Sequence, residues 1–170
     1  MPEADVIVHS GDISNNGSEE EVLDFLNWMI SLPYRYKIFV AGNHDLCLWD
    51  AVGIESLPDN LFFLQDKGVT IEGYYFYGLG YDHSEEVIPD DTDVIITHEP
   101  PVMILDLSSG THWGNASLLR RVLDIKPHYH LFGHAHEGYG TTIKDGIVFS
   151  NAALLNDQLQ MVRRPLLLDL

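Results

Sequence analysis

The chain has 170 residues, 45% of them hydrophobic, and a formal net charge of −17. That is enough apolar material for one compact domain over residues 1–170, and the charge excludes a general affinity for long nucleic acids or anionic membranes. Its one cysteine, Cys47, excludes an intrachain disulfide, and no stretch is long and apolar enough to span a bilayer, so a cytoplasmic setting is expected.

In chain order, "DVIVHS" (Asp5–Ser10) is short, β-branched and apolar, and reads as a buried strand ending at Gly11. Ser18 is placed to cap a helix whose first turn is acidic. Val22, Leu23, Phe25, Leu26 and Met29 give that helix its apolar stripe, with Trp28 also expected in the core. "YKIFVAG" is a second strand. "NLFFLQ", "VTIEG" and "YYFYGLG" are three more, followed by an acidic loop and then "DVIITH", halted by Pro100 and Pro101. "NASLLRRVLDI" is a helix capped by Asn115. "PHYHLFG", a hairpin over "GTTIKDGIVFS" with Asp145-Gly146 at its turn, and "PLLLDL" complete the strands. Strands alternating with helices and closing on hairpins predict α/β layers with two packed sheets.

The residues just beyond the strands are more specific than the strands themselves. The runs "VIVHS", "KIFVA", "VIIT" and "HLF" lead respectively to Asp12, to Asn43-His44-Asp45, to His98, and to His134 and His136. Glycines precede Asp12, Asn43 and His134, letting the backbone turn and a ligand come close. Ligands of α/β sheets bind beyond the carboxyl ends of strands. Carboxylate, carboxamide and imidazole gathered there suit divalent metals such as manganese, iron or zinc.

Gly11-Asp12, Gly42-Asn43-His44-Asp45, His98 and Gly133-His134-Ala135-His136 together resemble the signature of the calcineurin-like metallophosphoesterase superfamily. "THEPP" and "GHAHEGYG" further resemble a compact branch related to the vertebrate 239-type metallophosphoesterase-domain proteins. The resemblance implies a four-layer α-β-β-α sandwich with a dinuclear metal centre. It implies Asp12 as the bridging carboxylate, Asn43, His98 and His134 as ligands of one metal, and His136 as a ligand of the other. It implies that His44 contacts the scissile phosphate and protonates the leaving oxygen, with Asp45 orienting its ring. The implied reaction is hydrolysis of small phosphodiesters by metal-activated water.

One element of the signature, a D-x-H motif ending an earlier strand, has no counterpart, because Met1 stands too close to Asp12. His9 lies inside a strand and reads as packed. Two expectations arise: either a longer N-terminus exists, or the chain lacks the first strand, holds one metal well, and is a catalytically impaired metal-binding domain. The exposed strand edge of the second case would favour a homodimer. Of the remaining residues, His83 reads as part of a solvated acidic loop in preference to one that approaches the pocket. His112 either contacts substrate or caps a helix. His128 and His130 read as structural, Cys47 as a packed thiol, and Glu137 and Tyr139 as pocket neighbours.

Overall fold

The computed structural model describes residues 2–170. Three parallel strands, β1 (Val6–His9), β2 (Tyr36–Phe39) and β3 (Leu61–Phe63), form one sheet in that order. A six-stranded sheet contains β4 (Lys67–Ile71), β5 (Tyr74–Gly78), β6 (Val94–Ile96), β9 (Tyr129–Phe132), β10 (Gly140–Lys144) and β11 (Ile147–Asn151), in the order β10-β11-β9-β6-β5-β4. Its four central strands are parallel, and an antiparallel hairpin closes each edge. The helices are α1 (Glu19–Ser31) and α2 (Ala116–Ile125). A small hairpin of β7 (Leu107–Ser108) and β8 (Thr111–His112) occupies a segment the sequence presents as a loop.

Strand alternation builds the layers. Ile38 and Val40 point inward and meet Phe76, Val94 and Ile96 of the larger sheet. The intervening Phe39 and Ala41 point outward and meet Val22, Phe25, Leu26 and Met29 of α1. On the far side, Tyr77, Ile95, Phe132 and Phe149 pack against Leu118 and Val122 of α2. Three separate apolar clusters therefore correspond to the three interfaces of an α-β-β-α sandwich, and a one-residue slip in any strand would exchange its two faces.

The caps agree with the sequence. Ser18 and Glu21 form a capping box on α1, and the Asn115 side chain accepts from the Leu118 amide at the start of α2. Lys126 ends α2 in the left-handed region at φ 56°, just before Pro127. Four expectations need correction. The terminal "PLLLDL" pairs with no strand. Leu23 and Trp28 are 59% and 43% exposed on the outer side of α1, and Cys47 is exposed rather than packed. Their apolar side chains fit the core pattern, but they fall on the outward side of their turns. No described helix is long and apolar enough to cross a membrane.

Candidate metal centre

The carboxyl ends of β1, β2, β6 and β9 converge at one end of the sandwich. Asp12 comes after β1, Asn43 after β2, His98 after β6, and His134 after β9. Asp12, His98 and His134 bring ligand atoms within 4.8 Å of one another. The Nε2 atom of His98 lies 2.9 Å from Asn43 Oδ1, 3.1 Å from His134 Nδ1 and 3.3 Å from Asp12 Oδ2. Two of these residues, Asp12 and His134, hold φ values of 56° and 63°, in a region L-residues seldom occupy. Strain of this kind persists where the surrounding structure over-determines it, and it concentrates at functional sites.

The two sheets are tied together here. His98 Nδ1 donates to the Ser10 carbonyl at 2.8 Å, reaching from the larger sheet to the smaller. The Gly133 amide donates to the His98 carbonyl. Gly11 sits at φ +95°, and a Cβ there would stand 2.6 Å from His98 Nδ1. A Cβ on Gly42 would stand 2.3 Å from Asp12 Oδ1. Both glycines are therefore required by close approach to the ligands, as their place in the sequence suggests.

The donor set fits a divalent cation. Because the Ser10 carbonyl can only accept, the His98 proton sits on Nδ1, and the neutral ring turns the Nε2 lone pair inward. That lone pair then faces a carboxamide oxygen, a carboxylate oxygen and a second imidazole nitrogen. One proton cannot satisfy all these bases, whereas one cation can. Separations near 3 Å are those expected between neighbouring ligands with bonds of about 2.1 Å.

The electrostatics couple His98 to Asp12. Burial opposes charge on His98, but the Asp12 carboxylate outweighs it and raises the imidazole above its usual range. Burial likewise opposes the Asp12 charge, yet His98 and the His44 amide hold its carboxyl below the usual range. His134 is pushed down to about 4, first by burial and then by His98, which leaves it the neutral imidazole that metals bind.

Asp45 has a different place from the one expected. It is fully buried and accepts from the amides of Ile13, Ser14 and Gly42 and from the Ser14 hydroxyl, at 2.7 to 3.2 Å. It therefore braces the two ligand loops, while the His44 ring donates through Nδ1 to the Asn15 carbonyl at 3.0 Å. The His44 amide supports Asp12 Oδ1 at 3.0 Å. His136 is not among the residues whose ligand atoms gather there, and its Nδ1 lies 3.3 Å from Asp157. His9 packs edge-on against Phe25, and burial pushes it down to about 4. His112 pairs with Asp106 at 2.6 Å and neither caps α2 nor joins the cluster.

Other contributors escape a reading of the sequence. Asn151, fully buried at the end of β11, donates to the carbonyls of Ala135 and Leu105 and holds the turn that carries His134. Trp49 donates to the Gly42 carbonyl and lies tilted against Tyr81, which meets His98 edge-on. A cleft of about 380 Å³ opens beside His98, lined among others by Tyr81, His83, Glu85, Glu99 and Asn115.

Comparison with known proteins gives a consistent picture. The family model described as calcineurin-like phosphoesterase matches residues 1–138. A UPF0046 protein of Caenorhabditis elegans is 38% identical, covering 98% of this chain and 68% of the relative. The human protein called metallophosphoesterase domain-containing protein 1 is 32% identical, covering all of this chain and 66% of the relative. The chain thus spans about two thirds of the length of these curated relatives. A solved crystal structure shares the fold at TM-score 0.63 and 16% identity, covering 88% of this chain and 79% of the other.

Proposed function

The chain belongs to the calcineurin-like phosphoesterase family, and from that premise we propose that it hydrolyses small phosphodiesters with a divalent cation held by Asp12, Asn43, His98 and His134. One observation carries the reading: lone pairs from the ends of four strands in two sheets face one another within hydrogen-bonding distance or slightly beyond. A bound divalent cation supplies Lewis acidity toward the phosphoryl group and an acidified water. The chain's own contribution is to hold the ligands before the ion arrives. Asp45 fixes the Asp12 and Asn43 loops to each other, Ser10 fixes the His98 tautomer, and Asn151 fixes the His134 turn. His44, exposed beside Asp12, presents its free Nε2 to a phosphoryl oxygen.

The net charge of −17 favours small esters over polymers, because a polyanion gains no counterion-release attraction from an acidic surface. A monoanionic diester also meets less repulsion from Asp82, Glu85 and Glu99 around the cleft than a dianionic monoester does. Manganese suits the mixed oxygen and nitrogen donors. The test is turnover of bis(4-nitrophenyl) phosphate against 4-nitrophenyl phosphate with Mn²⁺. The diester should be preferred, and Asp12→Asn and His134→Ala should each abolish turnover. Preference for the monoester, or turnover that survives both substitutions, overturns the reading.

A second reading is favoured by the ligand atoms gathered at Asp12, His98 and His134, a group that does not include His136. Here the chain is a metal-binding domain impaired in catalysis, with one ion per chain. Full loading with one Mn²⁺ and no turnover of either ester would select it.

A further inference from the structure

The cleft beside His98 is where the part of a substrate beyond its phosphate would lie, and two kinds of wall border it. One is aromatic. The Tyr81 ring stands 6.0 Å from the His98 ring, and the Trp49 ring 5.3 Å from Tyr81. Trp49 is fixed by its bond to the Gly42 carbonyl at 3.0 Å, just before Asn43. These rings are therefore anchored to ligand loops of both sheets. The other wall is acidic. Glu99 directly follows His98, Asp82 directly follows Tyr81, and Glu85 accepts from the Asn115 side chain at the start of α2. Among the described residues no lysine or arginine pairs with these carboxylates or lines the cleft. His83 is committed to Asp66, at 2.5 Å, and Arg121 of α2 to Asp90. Nor do the three carboxylates form a metal site: among the described residues only Asp12, His98 and His134 gather ligand atoms closely enough for one ion.

We propose that this cleft receives a quaternary ammonium group, so that the substrate is a zwitterionic phosphodiester with its phosphate at the ligand cluster and a choline-like arm against Tyr81. The proposal rests on the phosphoesterase reading above and names the alcohol on one side of the diester. Glu85 and Glu99 are partly withdrawn from water, where a charge without a counter-charge is costly. A cation placed there offsets that cost. The Tyr81 face adds the attraction of its ring quadrupole, the interaction by which aromatic surfaces hold quaternary ammonium groups. A bulky, weakly hydrated cation suits carboxylates spread along a wall, whereas a small metal ion needs its oxygens converged. An uncharged arm makes neither gain, and an anionic arm is repelled by all three carboxylates. Tyr81, Glu85 and Glu99 touch the arm alone in this scheme, so they set which diester is bound without entering the reaction at phosphorus.

The experiment compares 4-nitrophenyl phosphocholine with 4-nitrophenyl 3,3-dimethylbutyl phosphate, which has the same shape and leaving group but carbon in place of the charged nitrogen. With Mn²⁺, kcat/KM should be at least about tenfold higher for the choline ester, the scale of a desolvated cation–aromatic contact. Tyr81→Leu, Glu85→Gln and Glu99→Gln should each bring that ratio about threefold or more closer to one. Glu85→Gln keeps an acceptor for Asn115, so its effect isolates the charge. A ratio near one in the unmodified protein, or a ratio that survives all three substitutions, overturns the proposal, while turnover itself upholds the phosphoesterase reading. Turnover of neither ester overturns that reading instead. The cleft is then tested by calorimetric titration of the Mn²⁺-loaded protein with phosphocholine and with 3,3-dimethylbutyl phosphate. Tighter binding of phosphocholine, weakened in Tyr81→Leu, sustains the ammonium site, and equal affinities overturn it.

Discussion

His98 and His134, 36 residues apart in the chain, bring Nε2 and Nδ1 to within 3.1 Å of each other because β6 and β9 lie side by side and parallel. The pairing of Val94 with Tyr129 and Ile96 with Leu131 fixes this register. Both imidazoles then emerge from neighbouring strand ends at the same level. Asp12 and Asn43 emerge likewise from the parallel pair β1 and β2. The site is a product of two parallel pairs in two sheets, and the contacts of His98 with Ser10, Asn43 and Asp12 tie one pair to the other.

A cation that binds this arrangement should stabilise the fold. At 100 times its dissociation constant a ligand adds about 2.7 kcal/mol, which for a chain of this size is about 5–10 °C in Tm. We expect Mn²⁺ to raise Tm by that amount and a chelator to reverse the rise. Asp12→Asn and His134→Ala should lose it. A melting temperature unaffected by Mn²⁺, Zn²⁺ or Fe²⁺ would count against a metal centre. Differential scanning calorimetry with and without metal is the measurement.

Asp45 should matter more to stability than to proton transfer. Removing it strands three backbone amides, each costing about 1–3 kcal/mol unless water reaches it, while the Ser14 hydroxyl keeps the His44 carbonyl as acceptor. Asp45→Ala should therefore destabilise the fold by more than about 3 kcal/mol in urea unfolding. Asp45→Asn, which keeps one acceptor oxygen, should cost less than Asp45→Ala. If Asp45 acted on the His44 ring instead, Asp45→Asn would alter the pH profile of turnover at nearly native stability.

The glycines at the strand ends can be tested separately from the ligands. In Gly42→Ala the new methyl would meet Asp12 Oδ1 and the Asp12 amide at 2.3 and 2.4 Å. One of the two loops must move. We expect a loss of Mn²⁺ affinity of at least about tenfold, the scale on which displaced supporting groups act at metal sites. Isothermal titration calorimetry would measure it. An unchanged affinity would show that the ligand loops are free to move.

The four side chains that meet at the strand ends were legible because apolar runs stop abruptly and are followed at once by Asp, Asn or His, a pattern local to each strand. The layers were legible because strand alternation marks two apolar faces. The partners of the polar groups were not. Asp45 is adjacent to His44, so adjacency suggested contact, yet its oxygens are satisfied by amides about 30 residues away. His83 and Asp66 are 17 residues apart and meet only because β4 and β5 form a hairpin between them. Asn151 has no local signal, since its role depends on where β11 ends relative to β9. The terminal "PLLLDL" has strand composition but joins neither sheet, although β10 and β4 each leave an outer edge of the larger one unpaired.

His130 supplies a dependence of stability on pH. Its ring is fully buried among Phe132 and Phe149, with Nε2 donating to Thr97 Oγ1 at 2.9 Å and Nδ1 unpartnered. Burial pushes its pKa down to about 3. In the unfolded chain the ring regains its ordinary value near 6.5. Between those two values the unfolded state binds more protons than the folded one, so the folded state loses ground as pH falls. The contribution of this residue is full above about 6.5 and declines steadily toward about 3. We expect unfolding free energy to fall between pH 7.5 and 5, and His130→Leu, which removes the titrating ring, to show a shallower slope. Urea unfolding at several pH values measures both slopes. Equal slopes would assign the acid sensitivity to His9, pushed down to about 4 by burial, or to the ligand cluster instead.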